Sequence, residues 1–187
     1  MKLIIALLCL VSCHAVANNS LVLTLGYDFG GDELVNTRDD DASDLKAGDG
    51  LWVTAAYEFY VSDRFYLKPE LGFKYQGIDA DDAEADFSRL PLSLSVNYDI
   101  TPFMNIGVGI VAELGPELNI DDDRGNLERE DIDFDNAVGG FVRIGFIPVE
   151  TLEIGLRATS IEYDPDNGFG DIDGDSIGLY VSGRLYQ

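Results

Sequence analysis

Eight stretches of this sequence alternate with period two, and no window after residue 17 repeats its apolar residues at helical spacing over three turns. Period two puts successive side chains on opposite faces of a strand, so the fold is all-β. The stretches are predicted at residues 20–30, 50–60, 65–75, 89–98, 104–114, 136–146, 152–159 and 177–186. The fourth is the clearest: Leu90, Leu92, Leu94, Val96 and Tyr98 alternate with Arg89, Pro91, Ser93, Ser95 and Asn97. Each stretch is close to the 9 to 11 residues a tilted strand needs to cross a bilayer. An even number lets the first strand pair with the last, leaving no open edge in lipid.

The connections fix an orientation. Those at 61–64, 99–102 and 147–150 are short; those at 31–49, 76–86, 115–135 and 163–175 are long, and the two kinds alternate strictly. Membrane barrels keep short turns on the periplasmic side and long loops outside. The long loops, with Glu162 at the base of the last, hold 27 of the 35 acidic residues. The expectation is an eight-stranded antiparallel transmembrane β-barrel, an up-and-down meander with short periplasmic turns and long acidic extracellular loops, in a Gram-negative outer membrane.

The minority face of the strands decides against a soluble barrel. It carries five acids, Asp28, Glu58, Glu70, Glu113 and Glu153, and six bases, Lys68, Lys74, Arg89, Arg143, Arg157 and Arg184, in a chain with 35 acidic residues and only 12 Lys and Arg. A face in water would be free to follow the acidic bias. A confined lumen is not, because a charge taken out of water is costly unless paired. These eleven residues are read as a luminal charge network, with Gly26, Gly72, Gly107, Gly109, Gly155 and Gly178 making room for long side chains. Tyr27, Phe29, Tyr57, Phe59, Phe65, Phe73, Tyr75, Tyr98 and Phe146, near strand ends, suit the two hydrocarbon boundaries. Pro69 removes a ladder donor, and a bulge or local irregularity is predicted beside it.

Residues 1–17 read as a signal peptide: Lys2, an apolar run from Leu3 to Val11, then Ala15-Val16-Ala17. The run is too short to span a bilayer as a helix. Leu10-Val11-Ser12-Cys13 also resembles a lipoprotein box, which would move processing to Cys13. In either case 18–187 is one barrel domain. Cys9, Cys13 and His14 are the only cysteines and histidine, so a chain processed after residue 17 has no thiolate, no imidazole and no Cys or His metal ligand. No enzyme is expected. The net charge of −23 argues against nucleic acid as a partner.

The acidic loops raise a metal question. Asp164, Asp166, Asp171, Asp173 and Asp175 in "DPDNGFGDIDGDS", and Asp121, Asp122 and Asp123 in "DDDRGN", are the hard oxygen ligands that Ca²⁺ prefers. The spacing does not meet the twelve-residue calcium loop. No cofactor is expected, with loosely bound Ca²⁺ or Mg²⁺, bridging loops to lipopolysaccharide phosphates, left as an alternative.

The opening "LVLTLGYDFGGDEL", the run "RFYLKPELGFKYQG" followed by "RLPLSLSVNYDITPFMNIGVGIVAELG", and the closing "ETLEIGLRATSIEY" and "SIGLYVSGRLYQ" resemble the small outer-membrane β-barrels of the OmpA-like and OmpW-like porin superfamily. The resemblance implies a monomeric integral barrel with variable surface loops, in contact with outer-membrane lipid and lipopolysaccharide and inserted by the outer-membrane assembly machinery. Such chains commonly end on an aromatic residue, whereas here Tyr186 is followed by Gln187. The functional expectation is a structural or surface-interaction barrel with a side-chain-filled interior. A small porin-like channel for ions or small solutes is the alternative.

Overall fold

The β-ladder closes on itself. The computed structural model describes residues 20–35, 45–80, 83–122, 130–165 and 170–186; the segment read as a signal peptide, with Cys13, lies outside them. Eight strands form the wall: β1 (Ser20–Phe29), β2 (Gly50–Tyr60), β3 (Phe65–Ala80), β4 (Ala83–Thr101), β5 (Met104–Asp122), β6 (Ala137–Val149), β7 (Leu152–Ser160) and β8 (Ser176–Tyr186). Each is antiparallel to its sequence neighbours, and β1 pairs with β8 from Leu21↔Tyr186 to Phe29↔Ile177.

Paired residues traced around the wall from Phe29 run through Ile177, Ala158, Val142, Val108, Val96 and Leu67 to Phe59. Phe59 sits next to Glu58, the partner of Ser20. The row leaves β1 at one end and comes back at the other, so the strands are steeply staggered, as closure of eight strands requires.

Side chains sort by phase. Leu71, Leu94 and Val138 are 57%, 47% and 72% exposed, while Lys68 and Ser95, one residue from outward positions, are 1% exposed. An apolar exterior running around the whole wall far exceeds the patches a soluble monomer tolerates, and its natural solvent is hydrocarbon. Aromatic pairs mark its borders: Tyr27 with Phe29 and Phe73 with Tyr75 on the loop side, Tyr57 with Phe59 and Phe65 with Tyr98 on the turn side. The short turns are locked by backbone bonds, among them Val61 N–H to Phe65 O (2.8 Å), Asp99 N–H to Arg64 O (2.9 Å) and Arg184 N–H to Thr151 O (2.9 Å).

Three expectations are corrected in detail. Residues 76–80 and 83–86 are a paired extension of β3 and β4, from Gln76↔Phe87 to Ala80↔Ala83, where a loop was expected; β5 likewise continues to Asp122, paired with β4 and with a short strand at Glu130–Asp133. The reason is an inversion of polarity at the membrane border. Beyond the hydrocarbon β4 keeps its phase, the Gly115–Pro116 bulge shifts that of β5 by one residue, and the chemistry exchanges: outward positions are now Asp86, Ser88, Glu117 and Asn119, and inward ones are Ala85, Phe87 and Leu118. A search for one constant pattern ends the strands too early.

Beside Pro69 there is the expected local irregularity, a gap in the ladder, but no bulge and no register shift. The β2–β3 ladder skips Tyr57–Glu58 opposite Lys68–Pro69 and resumes unchanged at Phe59↔Leu67, while the β4 side of Pro69 stays paired with Leu94. The bulges lie elsewhere. Gly115 and Pro116 together oppose Arg89, with Gly115 at φ +54°, a left-handed conformation that glycine adopts without steric cost. A second irregularity near Leu185 sets Tyr186 opposite Leu21, a lipid-facing position, which settles the register at the end of β8.

Leu94 lies midway along the lipid-facing side of β4. Leu94→Arg is expected to destabilise the barrel by about 2–4 kcal/mol in urea titrations in lipid vesicles, and Val149→Arg at the turn border by no more than about 1 kcal/mol. Equal costs at the two depths would contradict this placement of the bilayer.

Candidate functional site: the lumen and its outer cap

All eleven charged residues of the minority face point inward, and the structure joins ten of them through ion pairs. Near the loop end, Asp28 accepts from Lys74 Nζ at 2.8 Å and Trp52 Nε1 at 2.9 Å, with Arg157 Nη2 at 3.5 Å. At mid-lumen Arg143 Nη1 donates to Glu70 at 2.6 Å, while its Nε and Nη2 reach Asn97 (2.8 Å) and Ser95 (3.1 Å). Towards the turns, Arg184 Nε meets Glu58 at 2.9 Å and its Nη2 lies 3.5 Å from Glu153, which also accepts from Asn105 (2.8 Å) and Tyr180 (2.7 Å). Lys68 is buried between the Arg143 charge on one hand and the carboxylates of Glu70, Glu153 and Glu58 on the other, and has no direct ion pair among the described residues. A planar guanidinium held on three sides, as Arg143 is, has the geometry in which burial of a charge is compensated.

Interior glycines pass under these side chains. A side chain at Gly26 would run into the Trp52 ring, and one at Gly178 into the Asp28 carboxylate. The turn-side mouth opens into a polar vestibule of about 440 Å³ lined in part by Tyr60, Asp99, Glu150 and Arg184.

The loop-side mouth has a different character. Leu45 and Ala47 of the first loop, Ala85 and Phe87 of β4, Leu118 of β5, Phe134 of the third loop and Ile161 and Tyr163 of the fourth form one buried apolar cluster with Val111, Ala137 and Phe141. Phe87, Phe134 and Tyr163 meet edge to face at 5.5–6.4 Å between ring centroids, the preferred aromatic geometry.

Arg89 is the bolt beneath the cluster. Its Nη2 donates to the carbonyls of Ala47 and Asp49, both at 2.8 Å, its Nε lies 3.0 Å from Glu113, and its guanidinium sits 4.3 Å above the Phe87 ring. Tyr163 O–H donates to the same Glu113. One ion pair thereby ties the first loop, the β3–β4 extension and the fourth loop to the wall, with the cation–π contact reinforcing it.

Sequence reading named Arg89 and Glu113 but missed the cluster above them. The signal was available: Leu45, Leu118, Ile120, Ile132, Phe134, Ile161, Tyr163 and Ile172 are apolar residues set inside strongly acidic segments, where a merely solvated loop has no use for them.

The carboxylates considered for metal are spread out. Asp173 accepts the Asp175 N–H (2.7 Å) and Asp175 the Ile161 N–H (3.0 Å), both as loop fasteners. Asp164 shares a hydrogen bond with Asp171, and this bond, together with the Asp171 charge, raises its pKa. Among the described residues no three potential ligands gather into a metal site; Asp166 and Asp123 lie outside the described residues, and the side chains of Asp121 and Asp122 are not described.

A closed barrel with an apolar exterior and a charged, paired interior is a multi-pass β-barrel of the Gram-negative outer membrane, of the small eight-stranded kind. Solved structures of that kind share its fold. Ail, the attachment invasion locus protein of Yersinia pestis, superposes with a TM-score of 0.59 at 11% identity over 89% of this chain and 96% of that one. Ail in complex with the heparin analogue sucrose octasulfate gives 0.58 at 11% identity, over 89% and 96%. Neisserial surface protein A gives 0.53 at 6% identity over 89% and 97%. No family model matches the sequence, and no curated protein does so.

Truncating Arg143 strands Glu70 in the lumen. Arg143→Met is expected to cost about 3–5 kcal/mol in vesicle unfolding, and Arg143→Met combined with Glu70→Leu to recover most of that loss. A double variant no better than the single would show that the pair is not the unit of stability.

Proposed function

We propose that this protein is a non-conducting outer-membrane barrel that presents a rigid acidic cap to cationic partners at the cell surface. The observation that carries this reading is the apolar cluster at the outer mouth. It gathers residues of three loops and the β3–β4 extension over a lumen in which ten of the eleven inward charges are ion-paired, which favours a filled interior over an open pore. Eight strands enclose an interior that side chains alone can fill. In this reading the protein acts as a monomer, is inserted by the outer-membrane assembly machinery and performs no catalytic step.

The charge of the cap sets the kind of partner. Concentrated carboxylates attract basic surfaces and repel polyanions, so the sulfated ligand found with Ail is not expected here. Divalent cations would associate loosely with the loop carboxylates, Asp164, Asp171, Asp173 and Asp175 among them, and bridge them to lipopolysaccharide phosphates. Calorimetric titration of the refolded barrel should then show Ca²⁺ and Mg²⁺ competing on similar terms, with Kd on the order of 10⁻⁴–10⁻³ M; a tight, Ca²⁺-selective isotherm would point to a built site.

The decisive measurement is single-channel conductance of the refolded protein in a planar bilayer, with and without Ca²⁺. A folded but silent barrel is expected. Reproducible cation-selective steps would replace this reading with that of a narrow channel whose luminal charges set selectivity.

A further inference from the structure

The turn-side mouth holds a polar cavity of about 440 Å³ that the luminal network leaves unfilled. Each of the three short turns gives its lining one carboxylate: Asp63 between β2 and β3, Asp99 at the end of β4, and Glu150 between β6 and β7. Hydrogen bonds tie these turns to one another and to β8. Asp99 N–H donates to Arg64 O (2.9 Å), Ile147 N–H to Phe103 O (2.8 Å) and Arg184 Nη1 to Glu150 O (3.1 Å). The carboxylates are therefore carried on a fixed ring.

Arg184 is the basic residue of the lining, and its charge is already matched inside the lumen. Its Nε and Nη2 hold Glu58 at 2.9 and 3.3 Å, and Nη2 lies 3.5 Å from Glu153. The field left in the cavity is negative, which disfavours an anionic ligand.

Two acceptors at its edge lack donors. Asp99 Oδ1 is shut off from solvent and receives no hydrogen bond. Asn105, the cross-strand partner of Asp99 on β5, is fully buried, and its Oδ1 receives none either. The Asn105 amide cannot turn over, because its Nδ2 donates to Glu153 at 2.8 Å. Burial holds the Asp99 carboxyl up at about 6, with Arg184 opposing and Glu58 and Glu153 adding to the rise. A buried acceptor without a donor is costly, so this pair calls for a donor from outside the chain.

Among the described residues no three carboxylates stand close enough to share one metal ion. A ligand that engages the ring must carry separated positive charges. An alkylammonium group, with three donors and no acceptor, suits the orphan oxygens. We propose that the vestibule binds a short aliphatic diamine from the periplasmic side, one ammonium group donating to Asp99 and the other to Glu150. The site lies at the opposite end of the barrel from the cap and is independent of the surface role proposed there.

The test is an NMR titration of the isotope-labelled barrel in phosphatidylcholine nanodiscs with putrescine, at neutral pH and with excess Mg²⁺ to occupy the loop carboxylates. Saturable shifts are expected at the amides of Asp63, Asp99 and Glu150, with those of Asp171 and Asp173 unmoved. Asp99→Asn should weaken binding roughly tenfold or more, as expected for loss of one charge-assisted hydrogen bond. Glu150→Gln, in an exposed turn, should do the same and serves alone if Asp99→Asn does not fold. n-Butylamine, with a single ammonium group, should bind roughly tenfold more weakly than putrescine. Acidification below about pH 6 should release the diamine as Asp99 takes up a proton. The proposal is overturned by a spectrum that does not move, which would leave the orphan oxygens to ordered water, or by shifts confined to the loops. Variants that bind as well as wild type, n-butylamine as tight as putrescine, or binding unchanged by acid would overturn it equally.

Discussion

A backbone amide or carbonyl left unpaired in hydrocarbon costs several kcal/mol, and everything else in this structure follows from avoiding that cost. The ladder has to close, so β1 pairs with β8. Closure of eight strands imposes a steep stagger and an interior only about one layer of side chains deep. Within that space, charges have few solvent partners, and the neutrality of the minority face is then a requirement. The arrangement around Arg143, with Glu70, Asn97 and Ser95 each engaged by a different guanidinium nitrogen, is one local solution; the Asp28 group with Lys74, Arg157 and Trp52 is another.

The same wall solves two problems with opposite polarity. Inside the bilayer it turns leucines outward and charges inward. Above the bilayer, β3 and β4 keep their phase, β5 shifts its own by one residue at the Gly115–Pro116 bulge, and the chemistry exchanges, so that Asp86 and Glu117 face outward while Phe87 and Leu118 face in. The upper part thus has an ordinary soluble-protein core, small and aromatic-rich, sitting on a lumen that is its inverse. Arg89 and Glu113 lie at the junction, where a charged pair can serve both as the top of the luminal network and as the floor of the apolar cluster.

Much of the wall was legible because lipid imposes a strict rule on every second residue. Strand phases, the alternation of short and long connections and the inward placement of all eleven charges could be read from period two and loop lengths. The ends of β3, β4 and β5 could not, because the rule reverses where the solvent changes and the acidic outward residues there read as loop. At Pro69 the irregularity takes the form of a gap in the β2–β3 ladder and not a bulge: the β4 side of the strand remains paired, and the register carries across the missing donor. The bulges at Gly115–Pro116 and near Leu185, like the register shifts at Asp99–Thr101 and Leu152–Ile154, lie at the ends of the barrel wall. The apolar cap was missed since its members are single residues scattered through three loops and three strands, brought together only by closure of the barrel.

The seam between β1 and β8 has a consequence for how such a wall can be built. The other seven ladders join strands that follow one another and can form as local hairpins, at small loop-closure cost. The β1–β8 ladder joins Leu21 to Tyr186, nearly the full described length apart, so it carries the largest entropic penalty and is the natural last step. Until it forms, two raw strand edges exist, and neither can be left facing acyl chains. A sheet of this kind therefore has to enter the bilayer already curled, or with its edges held by another protein's strand, and the rate at which it matures is governed by the meeting of its two most distant segments more than by the insertion of any single hairpin.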